Sequence, residues 1–245
     1  MKRLGVIALS FMVAGCGFAR SSPRDESSYF PMSSRRVWEY RLSRFAQAEV
    51  WPVTVRSHGP AFVPELGRVA AIFDEEYPDA VVPVAFFLAE GFLQSEIGLR
   101  YHFDSGVERL PTAAQPMRVM PMPPRVGSHW AYSERVFLGF GRQLGLDIEW
   151  SGSVSREESV AVPAGRFRDC LRVESIAVHR LPEGAMSREF RYVDWYAPNV
   201  GLVKNEYSSR DEVFTRMELV SFDDLPPSVP AAPGIRMASG RDPRL

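Results

Sequence analysis

The sequence predicts an all-β protein, with at most a minor α-helical part, built from antiparallel curved sheets or half-barrels in two similar tandem halves. Apolar and polar residues alternate with a period of two in several segments, as at Leu146, Ile148 and Trp150, which is typical of strands with one buried face. Residues 162–165 and 197–201 place Pro, Asn and Gly where tight turns between antiparallel strands need them. The sequence has no long apolar stripe of helical period with caps at both ends.

The N-terminus has the features of an export signal. Lys2 and Arg3 precede an apolar stretch at residues 4–14, which is too short to cross a membrane and suits a signal-peptide core, so we interpret residues 1–15 as a signal peptide. The stretch ends in Val-Ala-Gly-Cys, which resembles the lipobox of bacterial lipoproteins. The resemblance implies cleavage between Gly15 and Cys16 and acyl chains on Cys16, which would anchor the mature chain to a membrane. The alternative is a buried apolar helix that contains a cysteine.

Polar or proline-rich segments flank the foldable body. Residues 16–28 predict a lipidated cysteine followed by a flexible tether, and residues 224–245 predict a disordered tail. Position 17 is Gly and not the Asp that retains such lipoproteins in the inner membrane of Gram-negative bacteria. The resemblance therefore favours the outer membrane. Whether the protein faces the periplasm or the cell surface is left open.

A repeated sequence motif divides the body into residues 29–120 and 121–223. Trp38-x-Tyr40 and Trp130-x-Tyr132 each follow a proline and open a predicted strand, which predicts a tandem duplication. Within the first half, Pro83 predicts that residues 81–87 form an edge strand or a bulged one. A short helix near residues 86–93 is a further expectation, although Gly91 disfavours it.

Three motifs resemble a widespread group of bacterial exported proteins and lipoproteins of unknown function: FP followed by W-x-Y, VPAGRFRDCLRV, and WYAPNVGLVK. The resemblance covers residues 122–222, and residues 29–110 are at best a diverged copy. The strands are also similar to those of the LolA/LolB-like half-barrel, an analogy of fold that carries no function. We interpret the following positions as structural turn or core residues: Trp38, Trp130, Pro163, Gly165, Trp195, Pro198 and Gly201.

Little in the sequence predicts catalysis. With 29 basic and 30 acidic side chains, the net charge is −1, which gives no reason to expect nucleic-acid binding. The four histidines lack metal-ligand spacing, and no nucleophile or phosphate-loop motif is present, so we expect no metal, no cofactor and no catalytic residues. Asp194 is the acidic residue of most interest, since it lies in an aromatic strand where burial could raise its pKa. Cys170 is expected to be a buried structural residue.

Two classes of function compete. The preferred hypothesis is a non-enzymatic, lipid-anchored envelope protein that binds an apolar ligand or a protein partner at the outer membrane. The alternatives are an anchored hydrolase with a site of dispersed residues near Asp194, and a purely structural or assembly module. A concave apolar surface would favour binding, whereas a His, Ser or second carboxylate beside Asp194 would favour hydrolysis.

Overall fold

The computed structural model of the chain describes residues 29–32, 35–63, 66–97, 100–103, 106–109, 116–138, 144–180, 187–210 and 212–225. These contain fourteen strands, a 3₁₀ turn at Phe45–Gln47 and no α-helix, which confirms the all-β prediction. The strands are β1 (Arg36–Arg44), β2 (Glu49–Val63), β3 (Arg68–Glu76), β4 (Val81–Ala89), β5 (Phe92–Ile97), β6 (Arg100–Phe103), β7 (Gly106–Arg109), β8 (Met117–Pro121), β9 (His129–Leu138), β10 (Leu144–Val162), β11 (Gly165–Arg180), β12 (Arg188–Ala197), β13 (Gly201–Ser209) and β14 (Glu212–Asp224).

Twelve of the strands form one antiparallel sheet that curls into a nearly closed barrel. Their order is β8-β5-β4-β3-β2-β1-β14-β13-β12-β11-β10-β9, and β6 and β7 form a separate hairpin. Each half of the chain is therefore a six-stranded meander, and the two meanders join through β1 and β14. Trp38-x-Tyr40 lies in β1 and Trp130-x-Tyr132 in β9, the first strand of each meander. The tandem duplication stays a prediction.

The two edge strands of the sheet, β8 and β9, are consecutive in the chain and lie side by side. The backbone N–H of Arg118 in β8 donates to the hydroxyl of Tyr132 in β9 at 3.2 Å. The Arg118 guanidinium also lies 5.4 Å from the centre of the Tyr132 ring. Side-chain contacts therefore bridge this seam.

We call the two ends of the barrel the entry end and the far end. At the entry end β1 begins and β14 ends, with Arg36 paired to Asp224. At the far end β1 finishes and the described part of β14 begins. The first described residues, Tyr29 to Met32, also lie at the entry end. Phe30 and Met32 pack there against two buried clusters, one that contains Trp38 and one that contains Trp130.

The entry end is filled by chain segments other than the strands that surround it. The Phe30 ring lies 4.8 Å from that of Phe86 and 6.2 Å from that of Tyr196, and so bridges opposite sides of the barrel. The tip of the β10–β11 hairpin bends to β14, where the Ala164 N–H donates to the Leu219 carbonyl at 2.9 Å. Eight strands enclose a space that side chains just fill, so a twelve-stranded barrel needs such additional filling.

Two tryptophans are central to this packing. Trp38 is 3% exposed, and its indole N–H donates to the Val200 carbonyl at 2.7 Å. Trp130 is 8% exposed and lies over Gly152 on the neighbouring strand. A Cβ atom at position 152 would approach the Trp130 ring to 2.1 Å, so only glycine leaves room for the indole.

Both predicted hairpins are confirmed. Val162 pairs with Gly165, which leaves Pro163 and Ala164 as a two-residue loop. Ala197 pairs with Gly201 around the turn that contains Pro198. Asn199 and Gly201 have φ angles of 61° and 97°, as expected for residues that tolerate the left-handed region.

Two expectations for the first half were wrong. Residues 86–93 are not helical but belong to β4, a turn and β5, and Glu90 and Gly91 both have positive φ angles that end the strand in a tight turn. β4 is an internal strand between β3 and β5 rather than an edge strand. Pro83 is accommodated because the described β4–β5 ladder begins only at Val84, so β3 alone flanks Pro83 in the described residues.

Several predicted segments lie outside the described residues. These are the signal peptide, the cleavage site at Gly15 and Cys16, the tether, and the tail from residue 226 onward. The ordered body extends slightly further than expected, because β14 includes Asp224. Within the described parts of the chain, no helix is both long and apolar enough to traverse a bilayer.

Candidate functional site

The inner face of the second meander carries a series of aromatic rings towards the far end. Trp130, Val154 and Tyr196 belong to a buried cluster with Leu93 and Met120 of the first meander, which identifies the face that points into the barrel. Side chains on one face recur every two residues and match across paired strands. The same face therefore holds a set that we call the aromatic stripe: Tyr132, Trp150, Phe190, Tyr192 and Tyr207.

The rings of the aromatic stripe contact one another across four strands. Tyr132 and Trp150 stack with centres 6.2 Å apart, and Trp150 lies 5.7 Å from Tyr192. Tyr192 stacks on Tyr207 at 4.9 Å. Phe190 lies 5.6 Å from Tyr207, and Phe214 extends the series at 5.5 Å from Tyr207.

Small residues on β11 make this arrangement possible. β11 lies between β10 and β12 and presents Ala177 beside Trp150 and Ser175 beside Tyr192. Because neither small side chain fills the space above β11, the rings of β10 and β12 meet over it. All five rings of the stripe are half-buried, unlike the tryptophans in the core at the entry end.

Glu134 is a buried acid at the β9 side of the stripe. Its Oε1 accepts a hydrogen bond of 2.6 Å from the Trp150 indole N–H. Its Oε2 is buried without a hydrogen-bond partner among the described residues. Burial raises the pKa of the Glu134 carboxyl above its ordinary value, and the bond from Trp150 opposes this only in part. Sequence reasoning missed Glu134, although Glu134 follows Trp130 and Tyr132 at the two-residue spacing that places all three on one face of a strand.

Asp194, the acidic residue predicted to be of interest, also faces the interior. It pairs with Val173 on one side and Asn205 on the other. The Asn205 amide N–H donates to its Oδ1 at 2.5 Å, while burial raises the pKa of Asp194 to about 6. The Asp194 charge in turn contributes to the raised pKa values of Tyr192 and Tyr196. The described hydrogen-bond partner of Asp194 is thus an amide, not the His, Ser or second carboxylate that a hydrolase would need.

A second set of polar groups lies on the inner face of the first meander. The Tyr40 hydroxyl donates to the Leu202 carbonyl at 2.8 Å, and the Tyr77 hydroxyl donates to Glu75 at 2.9 Å. Burial raises the pKa of both Tyr40 and Glu75, and the Glu75 charge adds to the effect on Tyr40. The barrel interior therefore contains several titratable groups whose pKa values are raised by burial.

The other singled-out residues have structural positions. Trp195 is half-buried, with the Lys204 ammonium 4.5 Å from its ring centre. Cys170 is completely buried in the core cluster. His58 contacts Asp74 at 2.7 Å and His179 packs on Phe190. Among the described residues, no three His, Cys, Asp or Glu side chains come together as metal ligands.

Comparisons with known proteins give a fold and a partial family match. The DUF3108-like family matches residues 151–219, from within β10 to within β14. Two solved structures are similar: a lipoprotein candidate from Parabacteroides distasonis ATCC 8503, with 17% identity and a TM-score of 0.51, and a candidate exported protein with a YmcC-like fold from Bacteroides fragilis NCTC 9343, with 15% identity and a TM-score of 0.52. Each alignment covers 80% of this chain and 98% of the other. None of the curated protein sequences matches this chain.

The chain therefore has the fold of bacterial proteins described as exported. At 15–17% identity, the likeness concerns the fold and not a shared ligand or activity. The DUF3108-like match contains β11, β12 and β13, which carry the small residues and three rings of the aromatic stripe. It also contains the hairpin tip that closes the entry end.

Proposed function

We propose that the protein is a lipid-anchored exported protein of the bacterial envelope that binds an apolar ligand on the aromatic stripe and catalyses no reaction. The observation that carries this proposal is the set of five half-buried rings on the inner face of β9, β10, β12 and β13. Four of these rings pack against buried clusters on one side, and all five keep part of their surface exposed on the inner face. Half-buried aromatic surface of this kind is typical of ligand sites, which are concave and mostly apolar.

The asymmetry between the two ends supports this site. At the entry end, Phe30 and the β10–β11 hairpin tip fill the space that twelve strands enclose. Towards the far end, the cluster at the stripe consists of second-meander residues alone, with Leu146, Ile148 and Ala177 packed against Trp150, Phe190 and Tyr192. Twelve strands enclose more space than the side chains of the strands fill, so a ligand is expected in the space above these rings.

The polar atoms at the stripe suggest which chemical groups the ligand carries. Glu134 is held in place by Trp150 and presents a second oxygen without a partner. A buried polar atom without a partner is costly and gains from a ligand group that bonds to it. We therefore expect a ligand with an apolar body and a single polar group, such as an acyl chain or a fused-ring compound with a hydroxyl or carboxyl.

Co-purification tests the ligand. Native mass spectrometry of the protein isolated from its own envelope should show bound mass in the wild type and little in the Trp150→Ala/Tyr192→Ala variant, which removes the centre of the stripe. The matched control is Trp195→Ala, which removes an aromatic ring held between cations outside the stripe. A wild-type protein without bound mass, or equal loading of all three proteins, would contradict the proposal. A co-purifying protein would favour the partner hypothesis.

Replacement of Cys16 tests the anchor. In a Gram-negative host, Cys16→Ser should leave the protein without acyl chains and move it from the detergent phase to the aqueous phase, because the acyl chains supply most of the affinity for lipid. Cys170→Ala serves as the control, since Cys170 is buried far from the N-terminus in sequence and should not affect partitioning. Detergent partitioning that is unchanged in Cys16→Ser would refute the anchor.

A further inference from the structure

A row of exposed apolar side chains lies on the rim of the entry end. Phe62, Val69 and Leu88 are 64%, 61% and 54% exposed. Phe62 and Val69 are paired across β2 and β3. Ala71 pairs with Phe86, so extension of the same register by two residues places Leu88 beside Val69. The three side chains therefore form one continuous row across β2, β3 and β4, which we call the apolar rim.

By the same register the apolar rim continues the face of Ala71, Phe86 and Leu93, which points into the barrel, so its side chains line the mouth of the barrel at the entry end. The opposite face of the same strands is also apolar, but it is covered. Val63, Ala70 and Phe87 alternate with the rim residues and form a cluster in which each is at most 8% exposed. Strands with apolar residues on both faces are normally covered on both. Contiguous exposed apolar surface of this kind marks a contact with a protein or a membrane.

The position of the N-terminal chain favours a membrane. Tyr29 packs in the cluster that contains Leu93, and Leu93 pairs with Leu88 of the rim. Thirteen residues (29 minus 16) separate Tyr29 from Cys16. A flexible chain of that length would have a root-mean-square span of about 20 Å, whereas the nine-residue strand β1 alone rises about 30 Å. An acylated Cys16 would therefore lie nearer on average to the entry end than to the far end, which favours contact of the entry end with the bilayer.

We propose that the apolar rim is a lipid-contacting surface, and that Phe62, Val69 and Leu88 enter the interfacial layer of the membrane to which Cys16 is anchored. This inference rests on the anchor of the proposed function but not on the ligand. Three apolar side chains add burial to that of the acyl chains and fix the orientation of the barrel. The aromatic stripe then opens away from the membrane.

An environment-sensitive fluorophore tests the contact. The full-length acylated protein carries a single introduced thiol, Phe62→Cys or Leu88→Cys, labelled with a nitrobenzoxadiazole dye and reconstituted into vesicles of phosphatidylethanolamine and phosphatidylglycerol. We expect the emission to shift to shorter wavelength and to increase several-fold on the vesicles. The matched control is Val50→Cys, since Val50 is 60% exposed on the same strand β2 but lies at the far end, and its emission should stay unchanged.

Sedimentation of the vesicles separates the two proposals. Protein that stays in the supernatant would refute the anchor and, with it, the membrane contact. Protein that sediments while the dyes at positions 62 and 50 respond alike would overturn the apolar rim and leave the anchor intact. A blue-shifted signal at position 62 before vesicles are added would indicate that another copy of the chain covers the rim, which would also overturn the membrane contact.

Discussion

Replacement of Trp38 by alanine is expected to lower the free energy of unfolding by about 3–5 kcal/mol. The indole is 3% exposed, lies 6.0 Å from the Phe73 ring and donates to the Val200 carbonyl. The truncation leaves a cavity and removes the donor from a buried carbonyl, and both effects destabilise the folded state. Urea unfolding followed by far-ultraviolet circular dichroism should show a lower midpoint with an unchanged slope.

Two further variants separate the causes. Trp38→Phe keeps most of the apolar volume but loses the indole N–H, so we expect a loss of about 1–2 kcal/mol. Trp195→Ala removes a ring that is half-buried between Lys204 and Arg172, and we expect a loss of about 1 kcal/mol. A loss in Trp195→Ala as large as that in Trp38→Ala would contradict the placement of the two rings.

Asp194 is expected to make the protein less stable as the pH rises from about 4 to about 6. Its pKa is about 6 in the folded state against 3.8 for the unperturbed group, so between these values the folded state binds the extra proton. Stability falls with rising pH wherever the folded state binds more protons. The difference between the two pKa values corresponds to about 3 kcal/mol, which is lost in full above about pH 6.

The variant Asp194→Asn isolates this contribution, because the introduced amide cannot ionise and its oxygen can still accept the hydrogen bond from Asn205. Urea unfolding of both proteins between about pH 4 and about pH 8 should give a stability difference that grows by about 3 kcal/mol in favour of the variant and is constant above about pH 6. Glu75 and Glu134 titrate in both proteins and cancel in the difference. A difference that is flat with pH would indicate that the Asp194 carboxylate is hydrated in the folded state.

Local patterns in the sequence were sufficient for several strands and for the two hairpin turns of the second half, but not for the turn at Glu90 and Gly91. The alternation at Leu146, Ile148 and Trp150 indicates which face of β10 is buried, and Asn199 and Gly201 occupy the turn positions that need a left-handed backbone. Both are properties of a few adjacent residues, which explains why single-sequence reasoning can find them. The repeated Trp-x-Tyr motif likewise marked the first strand of each meander.

The remaining features depend on residues that are distant in the chain. Nothing near Phe30 indicates that its ring contacts both Phe86 and Tyr196, because that contact exists only after the sheet has curled. Pro83 was expected at an edge because proline has no backbone N–H to donate to a neighbouring strand. How far the neighbouring strand extends alongside Pro83 is not a local property, so the residues around Pro83 do not reveal it. The aromatic stripe was missed as a unit for the same reason: its rings come from strands separated by a third of the chain, and the small residues of β11 that let them meet carry no signal of their own.

The pairing of β1 with β14 has a consequence for the order in which the sheet forms. Arg36 and Asp224, which this ladder joins, are 188 positions apart, whereas all other ladders of the large sheet connect segments that follow one another closely in the chain. Contacts between residues that are close in sequence form early, and closure of a long loop slows the rest. The first meander can therefore form while β14 is still emerging, and until then β1 is an exposed edge that could pair with another chain. β14 thus completes the sheet last, and truncation before residue 212 would remove β14 alone and leave β1 and β13 as unpaired edges that are prone to aggregate.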